Sequence, residues 1–429
     1  MAYVRDLWHA SRKNSDGETV RIRTPRYAAG KRWQACWLNP EGREQSKAFA
    51  KKEEAKDYAN AMDSDVNRGD YIDPKAGTIL FGKIAERWRS SLVVDPSSYI
   101  VYESILRLHV LPIFERRPIN AIKPSSVQKF ISSLAGTHSL SLVTNAHHIT
   151  LAIFDLAVAD EIIRKNPSRS EVVKLPKPLN EKIVPWPDLV FYGVLDAHPD
   201  EYKLVPILAA GCGLRQGEIF GVSEEDFDFE EKVLHVRRQV KKLGSEYVFA
   251  LPKNDRERVV PLPEWVIAAA KQHIQAYKPR PYSLPWEKVT GQPRTHRILF
   301  RWRTDDRHLR ARLYNELIWR PALVAAGRAP EPAKDKRGRR RYVNDRRDGM
   351  HALRHLYASV LLANGVSIKD LAEFLGHADP AFTLRTYIHM LPGSHARAIE
   401  AIDGRLFRAR QESHRTETEQ PHLAVTEAA

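Results

Sequence analysis

HALRHLYASVLLANGVSIKDLAEFLGHADPAFTLRTYIHM, residues 351–390, decides the reading of this chain. His351-Ala352-Leu353-Arg354-His355 opens a helix, and His351 and Arg354, three apart, share one of its faces. A second helix, SIKDLAEF, runs into Leu375-Gly376-His377. Tyr387 then stands in Leu384-Arg385-Thr386-Tyr387-Ile388-His389, ten residues after His377.

Upstream, Arg215 follows Gly211-Cys212-Gly213-Leu214 and precedes Glu218 by three. Lys253 lies in Pro252-Lys253-Asn254-Asp255-Arg256-Glu257-Arg258-Val259-Val260-Pro261-Leu262. Singly, each has an ordinary reading. Arg215 and Glu218 make a surface helical pair worth a few tenths of a kcal/mol, and Lys253 sits on a polar hairpin tip. His351 and His355, at i and i+4, have zinc-ligand spacing. The metalloprotease pattern needs Glu after the first His, and Ala352 stands there. No metal site is expected. Gly211 and Gly213 are a GxG fragment and read as structural turns.

Taken in order, the motifs resemble those of the tyrosine recombinases, the phage-integrase family. Gly-Leu-Arg-Gln-Gly-Glu surrounds Arg215, Pro-Lys-Asn with a downstream Arg-Val-Val-Pro-Leu surrounds Lys253, and His-Ala-Leu-Arg-His, Leu-Gly-His and Tyr387 follow. Some members place the tyrosine nine residues after the Leu-Gly-His histidine; here the interval is ten. The resemblance covers about 185–405 and implies roles. Tyr387 would be the nucleophile, rather than Tyr357 or Tyr342, and Arg215 and Arg354 would fork onto the phosphate. His377 would donate to it, and His351 would handle the tyrosine proton. Lys253, on a mobile hairpin, would protonate the departing 5′ oxygen. Glu218 would orient its neighbours.

These residue types suit the chemistry. Attack on a phosphodiester builds negative charge on phosphorus, and without a metal cationic donors must stabilise it. A phenol near pKa 10 needs a base or cationic surroundings to attack at neutral pH. A covalent 3′-phosphotyrosine keeps the energy of the cut bond, so neither metal nor ATP is expected. The implied function is integration or excision of a mobile element by a homotetramer on double-stranded DNA attachment sites. A DNA-bending host factor and a directionality factor would assist. The alternatives are a host-type recombinase resolving DNA multimers, a type IB topoisomerase, and a non-catalytic DNA-binding regulator on the same fold.

Composition agrees with a polyanionic partner. The 429 residues hold 68 Lys+Arg against 53 Asp+Glu, a formal net charge of +15. The N-terminus lacks the apolar segment of a secretory signal, and no apolar run suggests a membrane-spanning helix. Two cysteines, Cys36 and Cys212, exclude a disulfide framework. The expected location is cytoplasmic, nucleoid-associated when bound to DNA.

The organisation reads as multidomain, mainly α with small β-sheets. Residues 1–75 form an arm-type DNA-binding domain, a three-stranded sheet (Val20–Arg26, Arg32–Leu38, Glu44–Phe49) plus a helix over Lys51–Arg68. Residues 76–170 form a helical-bundle core-type DNA-binding domain, whose His147 and His148 read as surface or capping residues. A hinge covers 171–184, a mixed α+β catalytic domain 185–410 and a disordered tail 411–429. Residues 394–408 carry a helical stripe that, by the resemblance, docks on a neighbouring protomer. Candidate DNA contacts are Arg32 and Trp33 in the basic N-terminal sheet and Arg339, Arg340 and Arg341 in the run 334–347. A second basic run covers 294–312. The 336–341 stretch reads as flexible until DNA binds.

Overall fold

A computed structural model describes residues 2–13, 18–177, 182–343, 345–390 and Ile402. The expected helix at 394–408, apart from Ile402, and the tail at 411–429 lie outside the described residues. The chain forms two compact units, divided between Leu179 and Asn180.

In the first unit, β1 (Tyr3–Asp6), β4 (Trp33–Leu38) and β5 (Glu44–Phe49) make an antiparallel sheet in the order β1-β4-β5. β2 (His9–Lys13) and β3 (Thr19–Arg23) pair separately. The sheet has three strands as expected, but Val20–Arg26 is not one of them. The reason is burial: every residue of β3 is exposed, so it has no apolar face to lay on a core. Its place is taken by Tyr3–Asp6, too short to announce itself. Asn39-Pro40-Glu41-Gly42 turns β4 into β5, with Gly42 at φ +75° and Asn39 Oδ1 accepting from the Arg43 N–H at 2.7 Å. α1 (Lys52–Asn67) covers the sheet through Ala55 and Ala59 against Ala35.

The bundle follows. α2 (Phe81–Ser90) leads to α3 (Pro96–Ile105), started by Asp95 accepting from the Ser97 N–H at 2.8 Å. A π-helical turn, Leu106–Val110, joins α3 to α4 (Leu111–Phe114) just ahead of Pro112, which has no N–H to give a regular ladder. α5 (Pro124–Ala135) starts on its proline, and α6 (Leu140–Ala159) is capped by Ser139. Phe81, Phe114, Phe130 and Phe154 meet at centroid distances of 5.2–5.5 Å in the centre. α6 is long and apolar enough to cross a membrane, against the expectation that no such helix exists. Val143, Ala146, Ile149, Ile153, Phe154 and Ala157 of that helix are buried in the bundle core. His147 is buried too, not a surface residue, with Nε2 3.4 Å from the Ser168 carbonyl.

The second unit holds α7 (Asp188–Asp196), α8 (Leu204–Cys212) and α9 (Gln216–Phe220). The strands β6 (Phe227–Asp228), β7 (Val233–Val236), β8 (Gln239–Leu243), β9 (Glu246–Ala250) and β10 (Arg258–Pro261) come next, then α10 (Glu264–Ala276). β10-β7-β6 is one sheet and β8-β9 a separate hairpin. Lys253 therefore sits on a loop between two sheets, not on a hairpin tip. α8 is apolar all round and nearly all buried, and it packs against α10 and the helix His351–Ala363.

The basic run at 294–312 is partly regular: β11 (Arg280–Pro285) pairs with β12 (Pro293–Ile298), a hairpin the charge pattern concealed. α11 (Ala311–Tyr314) and α12 (Arg320–Ala325) are joined by a second π-helical turn. β13 (Ala333–Lys334) and β14 (Arg340–Arg341) form a small hairpin, so the basic 336–341 stretch is built around a turn. Asp335 makes that turn, accepting from the N–H groups of Arg337 and Arg339, both at 2.9 Å. Then come α13 (His351–Ala363), α14 (Ile368–Leu375) and α15 (Pro380–Tyr387).

Candidate active site

α8 ends at Gly213, whose φ is +65° and whose Cβ would lie 2.5 Å from the Tyr357 ring. Only glycine fits that turn, and it delivers Arg215 to the start of α9. Glu218, fully buried, reaches back to accept from the Arg215 N–H at 2.8 Å and from its Nη1 at 2.9 Å. The pair is thus not a surface pair. Arg258 of β10 donates to both oxygens of Glu218, at 3.0 and 2.7 Å. Burial alone would raise the Glu218 pKa, but Arg258, then Arg215 and Arg354, outweigh it and hold the carboxyl down at about 2.

Arg354 is 1% exposed on α13. It donates to the Gly213 carbonyl at 2.6 Å and to the Leu375 carbonyl. Arg258 Nε donates to the Phe374 carbonyl at 2.8 Å, and Arg215 Nη2 lies 3.5 Å from the Gly376 carbonyl. Three consecutive carbonyls at the end of α14 thus meet three different arginines. A helix C-terminus carries partial negative charge and unpaired carbonyls, so it suits such a socket. Gly376 closes the helix at φ +61°, and His377 follows directly. His377 Nε2 is 3.2 Å from Arg354 Nη2, and Nδ1 is 2.7 Å from Oγ1 of the buried Thr383. With Arg354 as donor, Nε2 accepts, so Nδ1 carries the proton and donates to Thr383. Burial, then Arg354 and Arg215, push the His377 pKa down to about 4.

Tyr387, the last residue of α15, is 1% exposed among Tyr357, Leu371 and Leu375. Its hydroxyl is 2.8 Å from His355 Nδ1. The hydrogen-bond partner of the phenol is therefore His355, whereas the family resemblance assigns the tyrosine proton to His351. His351 stands edge-on to His355 with ring centroids 4.8 Å apart and is exposed. Burial pushes Tyr387 up to about 12, although Arg354 and Arg215 pull the other way. His355 is pushed down to about 4 by burial and then Arg354. His351 is pushed down as well, by desolvation and then by the neighbouring His355 and Arg354. At neutral pH all three imidazoles are uncharged.

The segment before His351 is pinned by aromatics that the sequence gave no reason to connect. Trp186 stacks on Trp319 at 5.9 Å, Trp186 Nε1 donates to the Arg347 carbonyl at 3.3 Å, and Trp319 Nε1 donates to the Asp348 carbonyl at 2.8 Å.

Of the expected site residues, Arg215, Glu218, Arg354 and His377 are joined in one network, with Tyr387 hydrogen-bonded to its histidine neighbour. Lys253 is exposed on the loop leading into β10. Arg258 and His355 complete the cluster. The signal for Arg258 was its place in the Arg-Val-Val-Pro-Leu stretch; for His355, the histidine spacing first weighed for zinc. Among the described residues no group of three or more His, Cys, Asp or Glu could hold a metal ion. Three guanidiniums against one carboxylate leave an excess of positive charge, suited to an anion with several oxygens.

The outlying candidates differ in availability. Arg32 is held by Asp6, with Nε at 3.2 Å and Nη2 at 3.0 Å, and its guanidinium lies 4.6 Å from the Trp33 ring centre. Arg339 and Arg341 share Asp335, and Arg340 is exposed on the same hairpin.

Residues 194–393 match the phage integrase family, and residues 81–135 match the phage integrase N-terminal SAM-like domain. The chain belongs to the phage integrase family, the tyrosine recombinases. A Mycobacterium tuberculosis protein named as a prophage phiRv2 integrase is 26% identical over 372 residues, covering 84% of this chain and 90% of its own. The Tn1549 transposon integrase, solved with transposon right-end DNA, superposes with a TM-score of 0.60 at 20% identity, covering 76% of this chain and 100% of the solved one. A lambda integrase tetramer bound to a Holliday junction gives a TM-score of 0.52 at 14% identity, covering 82% and 91%. At these identities the two structures establish the shared recombinase fold.

Proposed function

We propose that this integrase-family chain cuts and rejoins DNA at specific sites through a 3′-phosphotyrosine at Tyr387, integrating or excising a mobile element. The observation that carries the reading is the joining of Arg215, Arg354 and His377 around one helix end, with Tyr387 hydrogen-bonded to His355 alongside. The scissile phosphate sits against the guanidiniums of Arg215 and Arg354 and receives a hydrogen bond from His377 Nε2, in the tautomer that carries its proton there and accepts from the Thr383 hydroxyl at Nδ1. The Tyr387 oxygen attacks phosphorus, and the bond to the 5′ oxygen breaks. Lys253 supplies the proton to the leaving oxygen. The phenol proton has His355 as its acceptor, with His351 edge-on behind that ring. Neither ring holds a proton well in the resting chain. Burial and then the arginines depress them; the negative phosphate counters the arginines, and proton transfer accompanies attack rather than preceding it. Reversal with a different 5′ hydroxyl rejoins the strand, so neither metal nor ATP takes part.

The active assembly is a homotetramer on two double-stranded attachment sites, with a bending protein and a directionality factor as further partners. The support is family membership and the relative solved as a tetramer on a Holliday junction. The test is covalent trapping on a nicked suicide duplex carrying the attachment core, in EDTA. A denaturation-resistant adduct at the 3′ phosphate is expected. Binding of the same duplex without an adduct, or an adduct only when divalent metal is restored, would sink the proposal.

The 333–341 hairpin is proposed to lie along the DNA backbone. Arg340→Ala should weaken binding to all duplexes alike and reduce the slope of log affinity against log salt by about 1, the signature of one lost phosphate contact. A salt titration by fluorescence anisotropy checks this; an unchanged slope removes Arg340 from the interface.

A further inference from the structure

Arg258 belongs to none of the roles assigned above, yet it is among the most enclosed charges in the catalytic unit. Its side chain is 3% exposed. It extends from β10, a strand held in register by β7, where Arg258 pairs with Val236. One edge of the guanidinium forks onto Glu218 at 2.7 and 3.0 Å, and Nε reaches the Phe374 carbonyl at 2.8 Å. Glu218 in turn fixes Arg215 through its N–H and Nη1. Phe374 begins the turn that delivers His377, and a Cβ on Gly376 would meet Arg258 Cδ at 3.1 Å. The fork therefore spans the two elements that place two of the phosphate-binding groups, and it starts from the strand that follows the Lys253 loop.

We propose that Arg258 is a positioning residue for strand cleavage: it aims Arg215 through Glu218 and sets His377 through the Phe374 carbonyl, without touching DNA. This rests on the recombinase reading. The planar fork matters more than the charge. A lysine reaches one partner at a time, so Glu218 and the α14 turn lose their common reference. Misplacement of a binding group by about 1 Å can cost on the order of 10²-fold in rate.

The experiment uses the full chain and two nicked suicide duplexes. One has an ordinary scissile phosphodiester, the other a methylphosphonate there, which removes the negative charge that Arg215 and His377 serve. Arg258→Met should slow adduct formation on the phosphodiester by about 10²-fold while leaving duplex affinity within about threefold. On the methylphosphonate the deficit should shrink below about tenfold, as it should for Arg215→Ala, because less charge needs stabilising. A general loss of structure would slow both substrates equally. Arg258→Lys keeps a cation beside Glu218, so it guards against misfolding of the methionine variant. It should fold with the wild-type melting temperature and cleave the phosphodiester about tenfold slower. Equal deficits on the two substrates, or a lysine variant as fast as wild type, overturn the proposal. Wild-type protein that forms no adduct on either duplex overturns the recombinase reading instead, which keeps the two failures apart.

Discussion

Tyr387→Phe should form no covalent adduct with a nicked suicide duplex, a loss on the order of 10⁴-fold or more in cleavage, while duplex affinity stays unchanged. The substitution removes one oxygen and keeps the ring that packs among Tyr357, Leu371 and Leu375. Its structural cost is the loss of the hydrogen bond with His355 at 2.8 Å, about 1–3 kcal/mol if Nδ1 is left without a partner. That shifts the melting temperature but cannot account for a complete loss of chemistry. Tyr357→Phe is the matched control. Its hydroxyl is buried without a hydrogen-bond partner among the described residues, so deleting it should leave cleavage intact and the fold no weaker. Single-turnover assays on denaturing gels, with thermal unfolding alongside, separate the two. An adduct that persists in Tyr387→Phe and disappears in Tyr357→Phe would move the nucleophile to the other tyrosine.

That contrast reflects what was readable in the sequence. Residues 351–390 contain nearly everything needed to place Arg354, His377 and Tyr387: three helices joined by short turns, with Gly376 in the left-handed conformation just before His377. Contacts within forty residues leave such traces in spacing. Glu218 and Arg258 are forty positions apart and meet only because the Arg258 side chain reaches from β10 to the Glu218 carboxylate on α9, so neither residue announces the other. For that reason the Arg215–Glu218 pair reads as a surface pair until the third partner buries it. His355 was visible as a histidine one helical turn from His351, but its use depends on where α15 places the Tyr387 hydroxyl. In the N-terminal module the alternation of Val20–Arg26 signals a strand, which the chain forms over Thr19–Arg23. It does not say that the strand stays outside the sheet, because burial and not period decides that. The same limit hid β11 and β12, whose charged residues read as a basic patch.

The buried charge network around Glu218 also sets how the catalytic unit should respond to acid and to loss of that carboxylate. Glu218→Gln keeps the shape but leaves Arg215, Arg258 and Arg354 without a counter-charge, and breaking a buried pair in this way costs about 3–5 kcal/mol. In the wild-type chain the Glu218 pKa is held at about 2, against 4.5 for an ordinary glutamate. Its contribution is therefore fully present above about pH 4.5 and is lost as pH falls through 2. His355 and His377 act over an earlier window. Both are pushed from 6.5 to about 4, so the unfolded chain binds protons that the folded chain refuses. Stability should begin to fall below pH 6.5 and continue down to about 4, by less than about 3 kcal/mol per ring because both rings are only partly buried. Urea unfolding across pH 7 to 3 should thus show two acid limbs in the wild type. In Glu218→Gln, stability at pH 7 should be lower, the limb below pH 4.5 should flatten, and the histidine limb between 6.5 and 4 should persist. A variant as stable as wild type at pH 7, or one with the same slope below pH 4.5, would mean that Glu218 does not hold the three arginines together. A bound duplex should shrink the histidine limb, because a phosphate among these guanidiniums offsets the arginines' share of the shift and so favours the protonated rings.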